Sequence, residues 1–212
     1  MKLVDLEVSK FIDVVDSDSP APGGGSVAAL ASSLGVSLAR MVAHLSFGKK
    51  KYEALPDDVK TKFVKNFDEL LKIKDELTAL VDKDTEAFNA ISDAFKLPKE
   101  TEEDKAKRHD AIQEATKGAI KTPYDIVILS GKAISLLGEI LTNGNQNAIT
   151  DIGVGALLLM TGLEGGILNV KINLLGIDDK AYVEKINKDI AEAKVVAEKE
   201  KERIMEIVNS AL

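Results

Sequence analysis

Apolar side chains recur every three or four residues along nearly the whole chain, which is the spacing of one face of an α-helix. Alternation typical of strands is nearly absent. The pattern predicts an all-α fold, most simply a single-domain helical bundle over residues 1–212. About seven helices are expected: Val4–Val15, Ser26–Phe47, Pro56–Phe95, Thr101–Ile120, Thr122–Leu141, Ala148–Leu175 and Asp178–Leu212.

The third predicted helix carries the most regular stripe of apolar positions. Steps of three and four residues place ten side chains on one face, and eight of them are apolar. The ten are Phe63, Phe67, Leu70, Lys74, Leu77, Val81, Asp84, Phe88, Ile91 and Phe95. Lys74 and Asp84 interrupt the stripe, so both call for a physical explanation.

An ionised Asp84 among apolar neighbours would be largely desolvated, and leaving it unpaired would cost several kcal/mol. It therefore needs a strong partner or takes part in chemistry. Two readings stay open, a buried salt bridge or helix cap and a role in a functional site. Asp82 falls on another side of the helix and is expected to face water.

A second feature is the loop Pro22–Ser26, with the sequence PGGGS, directly before an alanine-rich helix. It matches neither the Walker phosphate loop nor the dinucleotide fingerprint. Free N–H groups at the start of the helix, with glycines that allow close approach, suit a carboxylate, a carbonyl or the edge of a flat heterocycle. The alternative is an ordinary capped helix with a flexible lead-in.

Composition removes several classes of function. The net charge of -7 argues against a nucleic-acid surface, and the lack of cysteine excludes disulfides and thiolate metal sites. With only two histidines, a histidine-rich metal site is excluded too, so no metal is expected. The most apolar stretch, 152–163, is too short to span a bilayer, so we expect no membrane segment and a cytoplasmic protein.

Five segments follow one another along the chain: SPAPGGGSVAALASSLG, MVAHLSFGKKKY, LVDKDTEAF, NGNQNAITDIGVGA and GGILNVKINL. Together they resemble the formiminotetrahydrofolate cyclodeaminase family, which includes stand-alone methenyltetrahydrofolate cyclohydrolases, and the resemblance covers nearly the whole chain. The resemblance implies an all-helical homodimer that binds a tetrahydrofolate derivative as substrate, without a prosthetic group. It also implies a catalytic aspartate in LVDKDTEAF, which offers Asp82 and Asp84, and the apolar stripe favours Asp84.

The implied activity is either cyclodeamination of 5-formiminotetrahydrofolate or hydrolysis of 5,10-methenyltetrahydrofolate. Asp84 would stabilise the cationic carbon and move a proton. The expected substrate-binding residues are Pro22, Gly23, Gly24, Gly25 and Ser26 around the reacting region, Lys49 and Lys50 for the glutamate tail, and Asn145, Asn147, Asp151 and Asn169 for the pterin edge. A non-catalytic helical oligomerisation or binding module remains the alternative.

Overall fold

The computed structural model describes residues 2–212 and contains seven α-helices in that range, with no strand among those residues. Two short 3-10 turns, Leu3–Asp5 and Gln146–Ala148, precede α1 and α6. The helices are α1 Val8–Val15, α2 Gly24–His44, α3 Lys50–Glu53, α4 Asp57–Phe95, α5 Glu102–Asn143, α6 Ile149–Leu174 and α7 Lys180–Ser210. The all-α prediction is confirmed, and most helix ends fall within three residues of the expected positions.

The predicted division between helices at Thr122 is wrong, because α5 continues through Pro123. A proline inside a helix removes one hydrogen bond and costs roughly 3 kcal/mol. Here Ile120, Ile126 and Val127, on both sides of the proline, are fully buried in the same core. Burial of both halves outweighs the local penalty. Two predicted helices thus merge into α5, while the one-turn helix α3 was not predicted, so the number of helices is still seven.

Helices α2 and α6 form the centre of the bundle and run antiparallel to each other, with α4 and α5 packed beside them. Their backbones approach each other closely at Gly35 and Gly155. A Cβ atom at Gly35 would lie 2.7 Å from the carbonyl oxygen of Gly155 and 2.9 Å from Cγ of Leu159. Only glycine allows this separation, and the contact sets the distance between the two central helices.

By length and composition alone, both central helices could cross a membrane. The shorter stretch 152–163, considered from the sequence alone, did not indicate this for either of them. In each, 56% of the apolar window is buried inside the bundle. Core helices of water-soluble bundles have the same property, so this feature is weak support for a membrane span.

Replacing Gly35 by alanine is expected to lower the free energy of unfolding by about 1–3 kcal/mol, because the new methyl group overpacks the α2–α6 contact. Gly118 of α5 is the matched control, since a Cβ there meets nothing within 4 Å. Gly118→Ala should instead stabilise the protein by about 0.5–1 kcal/mol through helix propensity. Urea unfolding followed by circular dichroism measures both. Equal effects of the two substitutions would contradict the close crossing.

Candidate active site

The side chain of Asp84 lies at the N-terminus of α2. Its Oδ2 accepts a hydrogen bond from the Ser26 backbone N–H at 2.9 Å and a longer one from Ser26 Oγ at 3.3 Å. Ser26 Oγ also donates to the carbonyl of Val81 at 2.8 Å. The first N–H groups of a helix have no partner within the helix, so a carboxylate from α4 here caps α2. The capping interpretation of Asp84 is therefore correct, and Ser26 serves to hold this carboxylate.

Gly25 is the glycine that this arrangement requires. A Cβ atom at Gly25 would lie 2.0 Å from Oδ1 of Asp84, far inside contact distance. At Gly24 it would lie 3.3 Å from Nδ2 of Asn169, and at Gly23 the nearest atom is 3.5 Å away. The three glycines thus differ, and Gly25 alone lets the carboxylate rest against the α2 backbone.

Asp84 is partly buried, and this burial raises the pKa of its carboxyl group above the ordinary value. The two hydrogen bonds from Ser26 act in the opposite direction and favour the ionised form. Burial is the larger of the two effects. A carboxyl group balanced in this way can exchange a proton closer to neutral pH than an exposed aspartate can.

Asp84 lines a cavity of about 320 Å³ between α2, α4, α5 and α6. The side chains that line it are mostly apolar, with a few amides. They are Pro20, Ala21, Gly23, Gly24, Gly25, Asp84, Phe88, Ile91, Ala119, Asn169, Ile172 and Asn173. A mainly apolar cavity with few convergent polar groups is typical of a small-molecule site.

The apolar wall of the cavity was not recognised from the sequence. Phe88 and Ile91 follow Asp84 on the α4 stripe and were expected to be part of its apolar surroundings, yet Phe88 is 41% exposed. Ile172 on α6 is 63% exposed. Phe88 and Ile91 lie one and two turns beyond Asp84 on the same face of α4. The spacing of the stripe could therefore have predicted that they line the same cavity as Asp84.

Two amides on α6 face the same cavity. Asn169 donates from Nδ2 to the carbonyl of Gly165 at 2.8 Å, and Asn173 donates to the carbonyl of Asn169 at 3.0 Å. Each amino group uses one of its two N–H donors in these bonds, so a second donor and the amide oxygen of each side chain remain for a ligand. Ala119 adds a further acceptor, because Pro123 lacks the N–H that would bond to its carbonyl. The structure therefore brings Asn169, Gly23–Gly25 and Asp84 together at one cavity. Ser26 is bonded to Asp84, whereas Pro22 does not line the cavity.

Asp82 has a different role from the one expected. Its Oδ1 accepts a hydrogen bond from the backbone N–H of Leu3 at 2.5 Å, and its side chain is partly buried. The expectation that it faces water is wrong. Asp82 does not line the cavity of Asp84; it attaches the N-terminal 3-10 turn to α4.

The remaining predicted residues lie at the other end of α2. Lys49, Asn145 and Asn147 line a separate cavity of about 220 Å³, while Lys50 begins α3 and Asp151 lies in the first turn of α6. The 21 residues of α2 separate them from Gly24 by about 30 Å. The Asn145 side chain is also engaged locally, since Oδ1 accepts from the Asn147 N–H at 3.1 Å. One protomer does not bring this cluster to Asp84.

A family model described as formiminotransferase-cyclodeaminase matches residues 7–192. The chain belongs to the formiminotransferase-cyclodeaminase family. Within that family, it is 37% identical over 203 residues to the methenyltetrahydrofolate cyclohydrolase of Methylorubrum extorquens, covering 96% of both chains. It is also 37% identical over 180 residues to the formimidoyltransferase-cyclodeaminase of Gallus gallus, covering 85% of this chain and 32% of the relative.

Among solved structures of the formiminotransferase-cyclodeaminase family, formiminotetrahydrofolate cyclodeaminase from Thermotoga maritima matches with a TM-score of 0.85. The two chains are 26% identical, and the match covers 97% of each. The chain thus spans about a third of the Gallus gallus relative but nearly all of the Methylorubrum extorquens and Thermotoga maritima proteins. The family resemblance seen in the sequence is confirmed.

Gly25→Ala is expected to lower kcat/KM by about 10²-fold, because the methyl group displaces the Asp84 carboxylate by an ångström or more. Gly23→Ala should cost at most a few-fold. Gly23 has ordinary extended dihedral angles, φ -127° and ψ -152°, and room for a methyl group. Steady-state kinetics on both variants, with melting temperatures to verify folding, makes the comparison. Equal losses would contradict a specific requirement at Gly25.

Proposed function

We propose that this chain is a folate one-carbon enzyme that hydrolyses 5,10-methenyltetrahydrofolate to 10-formyltetrahydrofolate. The observation that carries the proposal is the Asp84 carboxylate, held by Ser26 at the edge of a mainly apolar cavity. The whole-length relative from Methylorubrum extorquens is named methenyltetrahydrofolate cyclohydrolase, which favours hydrolysis over the alternatives.

Asp84 would act as the proton acceptor in this reaction. Water adds to the cationic methenyl carbon, and Asp84 accepts the proton that the water releases. In the resulting tetrahedral intermediate the bond from carbon to N5 breaks, the hydroxyl becomes the formyl oxygen, and its proton passes to N5. The negative charge of Asp84 also stabilises the cationic substrate in a site from which water is partly excluded.

Cyclodeamination of 5-formiminotetrahydrofolate is the second candidate, supported by the name of the Thermotoga maritima structure. In this reaction N10 attacks the formimino carbon and its proton passes to the formimino nitrogen. The resulting amino group takes up a second proton, and the bond from carbon to this nitrogen breaks as ammonia leaves. Protonated Asp84 would donate this proton. Both reactions pass through a tetrahedral carbon between two nitrogens, so one carboxyl group serves either of them.

The rest of the cavity suits the two parts of a folate. The amide oxygens of Asn169 and Asn173 would accept from the N–H groups of the pterin, and the Ala119 carbonyl offers a third acceptor. Phe88 and Ile172 would pack against the aromatic ring that links the pterin to the glutamate tail. The tail-binding role of Lys49 and Lys50, and the roles of Asn145, Asn147 and Asp151, remain predictions.

Asp84→Asn is expected to lower kcat by at least about 10²-fold, because the amide keeps the shape but cannot accept a proton. The melting temperature should change little, since replacing a buried carboxylate removes a desolvation cost. In the wild type, activity should rise with pH through the folded pKa of Asp84. As burial raises that pKa, the midpoint lies above the range of exposed aspartates. Near-UV absorbance of methenyltetrahydrofolate follows the reaction.

Asp93→Asn is the matched control, since Asp93 lies on α4 but has a side chain that is 73% exposed and paired with Lys96. It should leave turnover unchanged. Formimino- and methenyltetrahydrofolate, compared side by side, decide between the two reactions. Turnover of neither substrate by folded wild-type protein would instead support the non-catalytic module.

A homodimer is the second part of the proposal, and exposed apolar residues on α2 and α6 support it. Val27, Leu34, Met41 and Leu45 form a stripe on α2, and Val154, Leu157 and Leu168 form another on α6. Each of these side chains is between 38% and 68% exposed. Monomeric proteins rarely leave a contiguous apolar face of this kind in water. We call it the α2–α6 face, and a second copy of the chain would cover it.

Light scattering coupled to gel filtration should give twice the chain mass of 22.8 kDa for the wild type. Leu34→Glu combined with Leu157→Glu should give the monomer mass, because charges at the centre of the α2–α6 face oppose association. Val195→Glu on α7, at a position that is 66% exposed, is the control and should remain dimeric. A monomeric wild type, or a dimer that survives both substitutions, would refute this interface.

A further inference from the structure

Arg40, in the second half of α2, is a buried cation without an ion-pair partner in residues 2–212. It is 9% exposed, and no carboxylate oxygen in that range lies within 4.0 Å of its guanidinium. Burying a charge without a counter-charge costs several kcal/mol unless something compensates it. The position thus resembles a site that is completed by an anion.

The guanidinium is held in place by Phe67 of α4. Nη1 donates a hydrogen bond to the Phe67 carbonyl, and the guanidinium carbon lies 3.8 Å above the centre of the Phe67 ring. Nε and Nη2 have no hydrogen-bond partner in the described part of the chain. Every fully buried side-chain nitrogen there does have a partner, so these two nitrogens are not fully buried. These two nitrogens therefore retain access to a ligand, in the forked geometry that matches a carboxylate.

Two further basic side chains surround the same cavity, which has a volume of about 290 Å³. Its lining comprises Ser37, Arg40, Met41, His44, Leu45 and Lys74. Lys74 is the second polar residue that interrupts the apolar stripe of α4, and it faces Arg40 across the α2–α4 groove. Ten residues of α4 separate it from Asp84, or about 15 Å along the helix, so this cavity is distinct from the first.

The acidic groups near Arg40 make no ion pair with its guanidinium. Burial lowers the pKa of Arg40, while the charges of Asp68 and Asp75 oppose that effect from a greater distance. Asp75 pairs with Lys74 at 3.0 Å, and its side chain is 63% exposed. His44 makes only aromatic contacts within residues 2–212, with its ring centre 4.8 Å from that of Phe67. Its nitrogens thus remain available to a ligand.

We propose that Arg40, His44 and Lys74 form a carboxylate-binding site in the α2–α4 groove, separate from the cavity of Asp84. The polar groups that line this cavity are nitrogen-bearing side chains and one hydroxyl, without a carboxylate, so they suit an acidic group. That group belongs either to a free small carboxylic acid or, if the proposed function holds, to the γ-linked glutamate tail of a folate. The shared chemistry is a carboxylate bound by the guanidinium fork, with the Lys74 ammonium and the His44 imidazole on either side.

Isothermal titration of the wild-type protein with glutarate and with γ-linked triglutamate tests the site without requiring turnover. At least one probe should bind saturably with one site per chain. Binding of both indicates a general carboxylate site, and binding of triglutamate alone indicates the folate tail. Arg40→Lys should weaken binding at least tenfold, because it keeps the charge and loses the fork. Lys74→Gln should weaken binding several-fold. Because this variant keeps the buried Arg40, it tests the site even if Arg40→Lys does not fold.

Two control variants separate this site from the proposed function. Asp84→Asn should bind the probe as the wild type does, even if it has lost turnover. Lys188→Gln removes an exposed charge on α7 and should change neither binding nor turnover. The proposal is overturned if neither carboxylate binds, if only inorganic phosphate binds, or if the variants bind equally well. A second copy of the chain is the competing occupant of the site, through one of its acidic side chains. That occupant is indicated, and the proposal is overturned, if the wild type binds no probe and Arg40→Lys abolishes the dimer.

Discussion

The contact between Asp84 of α4 and the first turn of α2 is the interaction on which the site depends. One carboxylate accepts the hydrogen bonds that the start of α2 would otherwise leave unmade, and it does so where a side chain on Gly25 would exclude it. The same contact therefore fixes where α2 begins and which glycine is required. The contact uses Oδ2, whereas Oδ1 accepts no hydrogen bond from residues 2–212.

Close packing of small residues builds the opposite wall. Gly155 and Gly162 of α6 allow the backbone of α2 to approach to a distance that a Cβ atom would prevent. This approach brings Asn169 next to Gly24, so an amide from the far end of the chain faces Asp84 across one cavity. The geometry of the site thus depends on contacts between helix backbones, which are stiffer than contacts between long side chains.

The two polar residues that interrupt the α4 stripe have different environments although their sequence signal is the same. Asp84 meets the N–H groups at the start of α2, whereas Lys74 lies beside a second cation, Arg40, near the middle of that helix. A carboxylate is stabilised at a helix N-terminus, whereas two neighbouring cations repel each other and are stabilised by anions nearby. The difference follows from where α2 starts and how far it runs along α4.

Periodicity within single helices was enough to predict the all-α fold, the limits of most helices, the face that carries Asp84 and the glycine-rich start of α2. These features depend on local geometry, which repeats along a helix and can be read from residue spacing. Tertiary structure decided the rest. Packing on both sides kept α5 continuous through Pro123, Leu3 engaged Asp82, and Ser26 held Asp84. The tertiary structure also placed Lys49 and Asn145 about 30 Å from the candidate site. Which helix faces pack together decides such distances, and the spacing of residues along the chain does not contain that information.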